Sequence, residues 1–136
     1  MSWAEISLAA QASSARVARR FVRSTLEQWS LGSLSANAEL MVSELVTNVV
    51  LHARTDLVVR LGLRSTATVT LLRVGVHDGS RRPPRTMRYS DLAATGRGMR
   101  IVRALASDSG VQTEADGKTV WFELVVPTGA GTVSAP

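Results

Sequence analysis

The chain contains no cysteine, which excludes a disulfide framework and a thiolate metal site. Histidine is scarce: His52 and His77 are too few for a zinc cluster without carboxylates in register. Aromatic residues are only 4% of the 136, so core packing falls to Leu, Val, Ala and Ile, which a hydrophobic content of 45% supplies. No apolar run approaches the roughly 18 residues of a membrane span, and no basic stretch leads into an apolar one at the N-terminus. A soluble, cytoplasmic, single-domain protein without membrane contact is therefore expected. Lysine is nearly absent as well: Lys118 stands alone against 15 arginines. That ratio, with abundant alanine, looks like the usage of a GC-rich genome. The net charge of +5 invites a nucleic-acid reading, but the arginines are scattered among 11 acidic residues and face few aromatics. Direct nucleic-acid binding is not expected; a patch for an acidic protein partner or for phosphates stays open.

What is present reads as alternating elements. Residues 2–10 have the character of an edge strand. Residues 13–31 predict a helix with Val17, Phe21, Val22, Leu26 and Trp29 as its apolar stripe and arginines opposite. "GSLSA" breaks it, with Ser33 or Ser35 to cap a second helix that runs to about residue 53. Residues 57–64 and 67–78 are rich in β-branched residues and predict antiparallel neighbours across a short turn. Residues 79–98 carry Pro-Pro, several arginines and no period, and read as a long loop of the functional kind. A short helix over 99–109 follows, then a hairpin turning at Asp116–Gly117, with Trp121 and Phe122 in the core. One domain over 1–127 and a disordered tail over 128–136 are expected. The order predicts an α+β fold: a two-layer α/β sandwich whose mixed, mostly antiparallel sheet is covered by helices on one face.

Four stretches stand out. In "SELVTNVVLHA", Glu44, Asn48 and His52 recur every four residues, so a helix would set them in one file. An uncharged amide there suits a hard cation or a nucleotide, and a carboxylate one turn earlier can take a proton from a hydroxyl or a water; an edge meeting solvent is the plainer account. In "VGVHDGSRRPP", Asp78 ends a strand and can accept from an exocyclic amine, or simply form an Asp-Gly turn. In "TGRGMRIV", Gly96 and Gly98 flank Arg97 before a helix, a place where backbone N–H groups approach phosphates; a helix-start turn explains it equally. In "GKTVWFEL", Thr119 lies in the last strand, its hydroxyl free to face solvent or a base.

In this order, over about residues 13–126, the four stretches resemble the ATP-binding family of gyrase, Hsp90, histidine kinases and MutL, whose fold is often called the Bergerat or GHKL fold. The resemblance is nearest to the small bacterial anti-sigma-factor serine/threonine kinases. It implies that Glu44 is the general base, that Asn48 binds ATP through Mg²⁺ bridging the phosphates, and that Asp78 accepts from the adenine amine. It further implies that Gly96, Arg97 and Gly98 meet the phosphates and that Thr119 lies near adenine. His52 matches no role beyond a structural hydrogen bond. Ser80 occupies the place of a second glycine, a change the small-kinase subgroup tolerates, and the glycine-rich lid is short. A histidine kinase would need a dimerisation hairpin for which 136 residues leave no room.

The implied activity is Mg²⁺-dependent transfer of the ATP γ-phosphate to a serine or threonine of a small anti-sigma-factor antagonist, with Arg97, joined by Arg81 or Arg82 from the loop, offsetting charge. The same protein would sequester a sigma factor, and a homodimer is compatible with this. Two other readings remain: an ATP-gated interaction module without significant kinase activity, and a basic nucleic-acid binder on a decayed ATP fold.

Overall fold

The computed structural model describes residues 1–80 and 96–129, with the side chains of residues 96–99 excepted. Strand β1 (Ser2–Leu8) leads to helix α1 (Ser14–Gln28), a 3₁₀ turn (Gly32–Leu34), helix α2 (Ser35–Asn48) and a π-helical turn (Val49–Ala53). Strands β2 (Leu57–Ser65) and β3 (Val69–Asp78), helix α3 (Gly96–Leu105), and strands β4 (Asp108–Glu114) and β5 (Gly117–Pro127) complete it. The strands form one sheet in the order β1-β2-β3-β5-β4. All four pairings are antiparallel, so no parallel neighbour of the kind a mixed sheet contains occurs among the described strands.

Alternation decides what each strand contributes. Leu57, Val59 and Leu61 of β2, Leu72, Val74 and Val76 of β3, and Val120, Phe122 and Leu124 of β5 point to one face. There they meet Ala18, Val22 and Leu26 of α1, Met41, Val42, Leu45, Val46 and Val49 from α2 and its π turn, and Val102 of α3. The opposite face carries no helix among the described residues. Trp121 stands on it with Arg73 over its ring at 3.9 Å, so of the two aromatics expected in the core only Phe122 is there. On α1 the buried stripe is Ser14, Ala18, Val22, Thr25 and Leu26. Val17 falls outside it, 36% exposed, because a stripe centred on Ala18 and Val22 leaves the preceding position about 100° away.

Neither serine caps α2. Leu34 holds the cap position without a side-chain bond, and the Ser35 hydroxyl instead donates to Glu39 Oε2 at 2.5 Å. Glu39 also accepts from Arg23 Nη2 at 2.6 Å and Nε at 3.1 Å, which ties α2 to α1. The Arg23 hydrogen bonds hold the Glu39 carboxyl below its usual value of about 4.5. A carboxylate with a depressed folded-state pKa contributes stability above that usual value and loses it as pH falls through the folded one. Glu39→Gln is therefore expected to cost up to about 1 kcal/mol at pH 7, the scale of a pair with an exposed partner, and less at pH 3. Urea unfolding at the two pH values measures this; a deficit that does not shrink in acid contradicts the charge as its source.

Thr128, placed by sequence at the start of a disordered tail, is fastened to the β2–β3 turn. Its hydroxyl donates to the Thr66 carbonyl at 2.7 Å and its N–H to the Thr68 carbonyl at 3.0 Å. The tail beyond Gly129 and the predicted loop from Arg81 onward lie outside the described residues.

Candidate functional site

The end of α2 departs from the regular helix on which a file of side chains depends. From Val49 to Ala53 the backbone widens into a π turn that closes with Arg54 N–H donating to the Val49 carbonyl at 2.8 Å. Arg54 is left-handed, with φ 56°. A π turn advances less per residue than an α-helix, so His52 drops out of the row that Glu44 and Asn48 form within α2. Such turns inside helices often mark functional places. Glu44 is half-buried and Asn48 is buried, 6% exposed. His52 Nε2 is buried and meets no hydrogen-bond partner among the described residues, so a structural hydrogen bond of His52 does not run through that nitrogen within them.

The chain then turns straight into β2, and Leu57 opposite Asp78 brings the end of β3 alongside. Thr55 joins the two ends: its Oγ1 accepts from Gly79 N–H at 2.8 Å. The C-terminal turn of α2 and the C-terminal residue of β3 thus share one end of the sheet. Asp78 is 1% exposed there. Its Oδ1 accepts from Ser80 N–H at 2.7 Å and from Lys118 Nζ at 3.1 Å, and its Oδ2 from the same ammonium at 3.0 Å. The hairpin presses close at this point: a Cβ on Gly117, at φ 151°, would collide with the Asp78 carbonyl, so glycine is required.

Thr119 is not brought into this cluster. In the β3–β5 register Asp78 faces Lys118, and Thr119 faces His77. Successive side chains alternate, so Thr119 lies on the helix-free face of the sheet. Its hydroxyl donates to Glu114, and its oxygen accepts from His77 Nδ1 at 3.0 Å. Lys118, buried on the same face as Val120 and Phe122, is the β5 residue beside Asp78. Two signals in the sequence point to it: the period of two counted back from Phe122, and its being the only lysine.

The glycine pair lies inside α3. The helix begins at Gly96, three residues before the predicted start, so Gly96, Arg97 and Gly98 form its first turn. This helix packs on α2, and after Ala106 and Ser107 the chain enters β4 opposite Glu123, at the sheet end away from Asp78. The topology points the N-terminal turn of α3, with its unshared N–H groups, back toward the Asp78 end. Nothing is assigned to the Arg97 side chain, and Arg81 and Arg82 lie outside the described residues.

The site thus offers an amide and a carboxylate one turn apart on α2, a buried acid paired with an ammonium at the strand ends, and a helix N-terminus. Carboxylate and amide oxygens suit a hard cation such as Mg²⁺, and a helix N-terminus suits phosphate oxygens. Among the described residues no helix is long and apolar enough to cross a membrane.

The family model of the histidine kinase-like ATPase domain matches residues 8–124. No curated protein matches the chain. Among solved structures the chain is similar to the histidine kinase domain from Erythrobacter litoralis EL346 blue-light activated histidine kinase. The identity is 24% and the TM-score 0.47, over 73% of this chain and 47% of that one, so the match spans about half of the solved domain's length.

Proposed function

The chain belongs to the histidine kinase-like ATPase domain family, and on that premise we propose that it binds ATP with Mg²⁺ and passes the γ-phosphate to a serine or threonine of a small antagonist protein. The observation that carries this reading is the meeting of the α2 π turn with the end of β3 through Thr55 and Gly79, which sets Asn48 and Asp78 at one end of the sheet. Asp78 accepts from the adenine amine. Asn48 would help to hold the metal, which would supply positive charge against the phosphates. The backbone N–H groups of Gly96, Arg97 and Gly98 receive the phosphates. Glu44 takes the proton of the acceptor hydroxyl as its oxygen bonds to the γ-phosphorus and the bond to the β–γ bridging oxygen breaks, leaving ADP. Transfer of this kind rests on positioning and charge more than on covalent help. The motif resemblance to anti-sigma-factor kinases supports the partners: an antagonist that is phosphorylated, and a sigma factor that is held until unphosphorylated antagonist competes for the protein.

Calorimetric titration with ATP, with and without Mg²⁺, tests the site. Binding is expected to depend on the metal in the parent protein, and Asn48→Ala is expected to weaken Mg-ATP at least about tenfold, since even groups that only orient a metal ligand are worth roughly 10–100-fold. Equal affinity in both comparisons overturns the role of the amide, and no ATP binding in any of them overturns the reading.

A further inference from the structure

Lys118 and Asp78 form a buried ion pair, with side chains 6% and 1% exposed. A buried ion pair is a poor device for stability alone, since apolar residues of the same volume often serve as well or better. Lysine is chosen here in a chain that elsewhere uses arginine for its cations; its ammonium is a compact donor, where a guanidinium would be a broad planar fork. The pair also leaves hydrogen-bonding capacity unspent. Each carboxylate oxygen accepts two bonds. Among the described residues, Asp78 Oδ1 takes Ser80 N–H and Lys118 Nζ, whereas Oδ2 takes Lys118 Nζ alone. The ammonium has three protons, and both of its contacts here are to Asp78. Among the described residues, one acceptor position on Asp78 and one donor position on Lys118 are left unspent in groups about 3 Å apart.

Resting on the ATP reading above, we propose that Lys118 is a specificity-determining residue that donates to adenine N1 while Asp78 accepts from the adjacent N6 amine. Adenine presents a donor at its exocyclic position and an acceptor at N1. Guanine presents an acceptor and a donor in the same two places. With the carboxylate set at the exocyclic position, an ammonium beside it matches adenine and opposes guanine, because two donors then face each other at N1. The acid alone reads one atom of the base; the pair reads the order of two.

The test compares Mg-ATP with the Mg complex of 1-deaza-ATP, in which a C–H replaces N1, by calorimetry. The parent protein is expected to bind 1-deaza-ATP roughly tenfold or more weakly, the effect of losing a bond from a charged donor. 7-Deaza-ATP, altered at an atom the pair does not read, is expected to bind like ATP. In Lys118→Met the difference between ATP and 1-deaza-ATP is expected to vanish, whereas a lysine that only neutralised Asp78 would leave the ratio unchanged. Equal binding of ATP and 1-deaza-ATP by the parent overturns the proposal without any variant having to fold, and so does a Lys118→Met protein that keeps the parental ratio. A parent that binds no adenine nucleotide removes the ATP reading itself, an outcome distinct from binding both analogues alike.

Discussion

Replacing Glu44 with glutamine is expected to leave Mg-ATP binding near the parental level and to slow phosphate transfer by roughly 10²–10⁴-fold, the range lost with a general base. The side chain sits half-buried on α2, one turn before Asn48. No hydrogen bond or ion pair ties it to another described residue, so glutamine keeps the helix, the volume and the polarity and removes only the proton acceptor. Unfolding midpoints are expected to match. Transfer from γ-labelled ATP to candidate antagonist proteins gives the rate, and the same proteins immobilised give partner binding, which does not depend on that proton. A Glu44→Gln protein that transfers at the parental rate shows that the base lies elsewhere. A parent that binds Mg-ATP yet transfers to no antagonist favours the ATP-gated module, in which nucleotide orders a surface instead of reacting.

Much of the fold was legible because burial writes a period into the sequence. The β-branched alternation of β2 and β3 gave both strands within a residue or two of their observed ends, and Val22 and Leu26 marked the buried face of α1. What was illegible depended on tertiary choices. Whether Ser35 caps a helix or reaches Glu39 is settled by Arg23, a residue 12 positions away on another helix that draws Glu39 toward α1. The π turn after Asn48 has no composition of its own: Val49, Val50 and Leu51 suit an α-helix equally, and the widening accompanies the left-handed Arg54 and the tie to Gly79. At the site, helix period and a strand end place Glu44, Asn48 and Asp78 at one end of the sheet, while the roles expected of them come from the motif resemblance. The resemblance put Thr119 near adenine, but only the pairing register says which face of β5 a residue occupies, and it sets Thr119 opposite His77 and Lys118 opposite Asp78. One residue of slip exchanges Thr119 for Lys118. The strand's own core residues, Val120 and Phe122, carry that information two and four positions beyond Lys118.

The same register makes Asp78→Asn a substitution with two separable effects. Asparagine keeps the shape and one acceptor for Ser80 N–H, but it removes the charge opposite Lys118, whose side chain is 6% exposed. Breaking one half of a buried pair typically costs about 3–5 kcal/mol, because the remaining charge stays in a poor solvent. Against a domain stability of roughly 5–15 kcal/mol, that is a large share. Urea unfolding is expected to show it. In the double variant Asp78→Asn with Lys118→Met the stranded charge is gone, so most of the lost stability is expected to return. Nucleotide recognition is not expected to return with it. An amide can turn its NH₂ toward the adenine amine, where an acceptor is needed, and the preference for ATP over GTP is expected to collapse in both variants. Parental stability in Asp78→Asn would mean that the ammonium finds other solvation and that the pair is no buried unit. An undiminished preference for ATP would mean that Asp78 does not read the base. Recovery of stability without recovery of base preference is the combination that separates the two roles of Asp78, since a merely structural ion pair would leave the base preference intact in both variants.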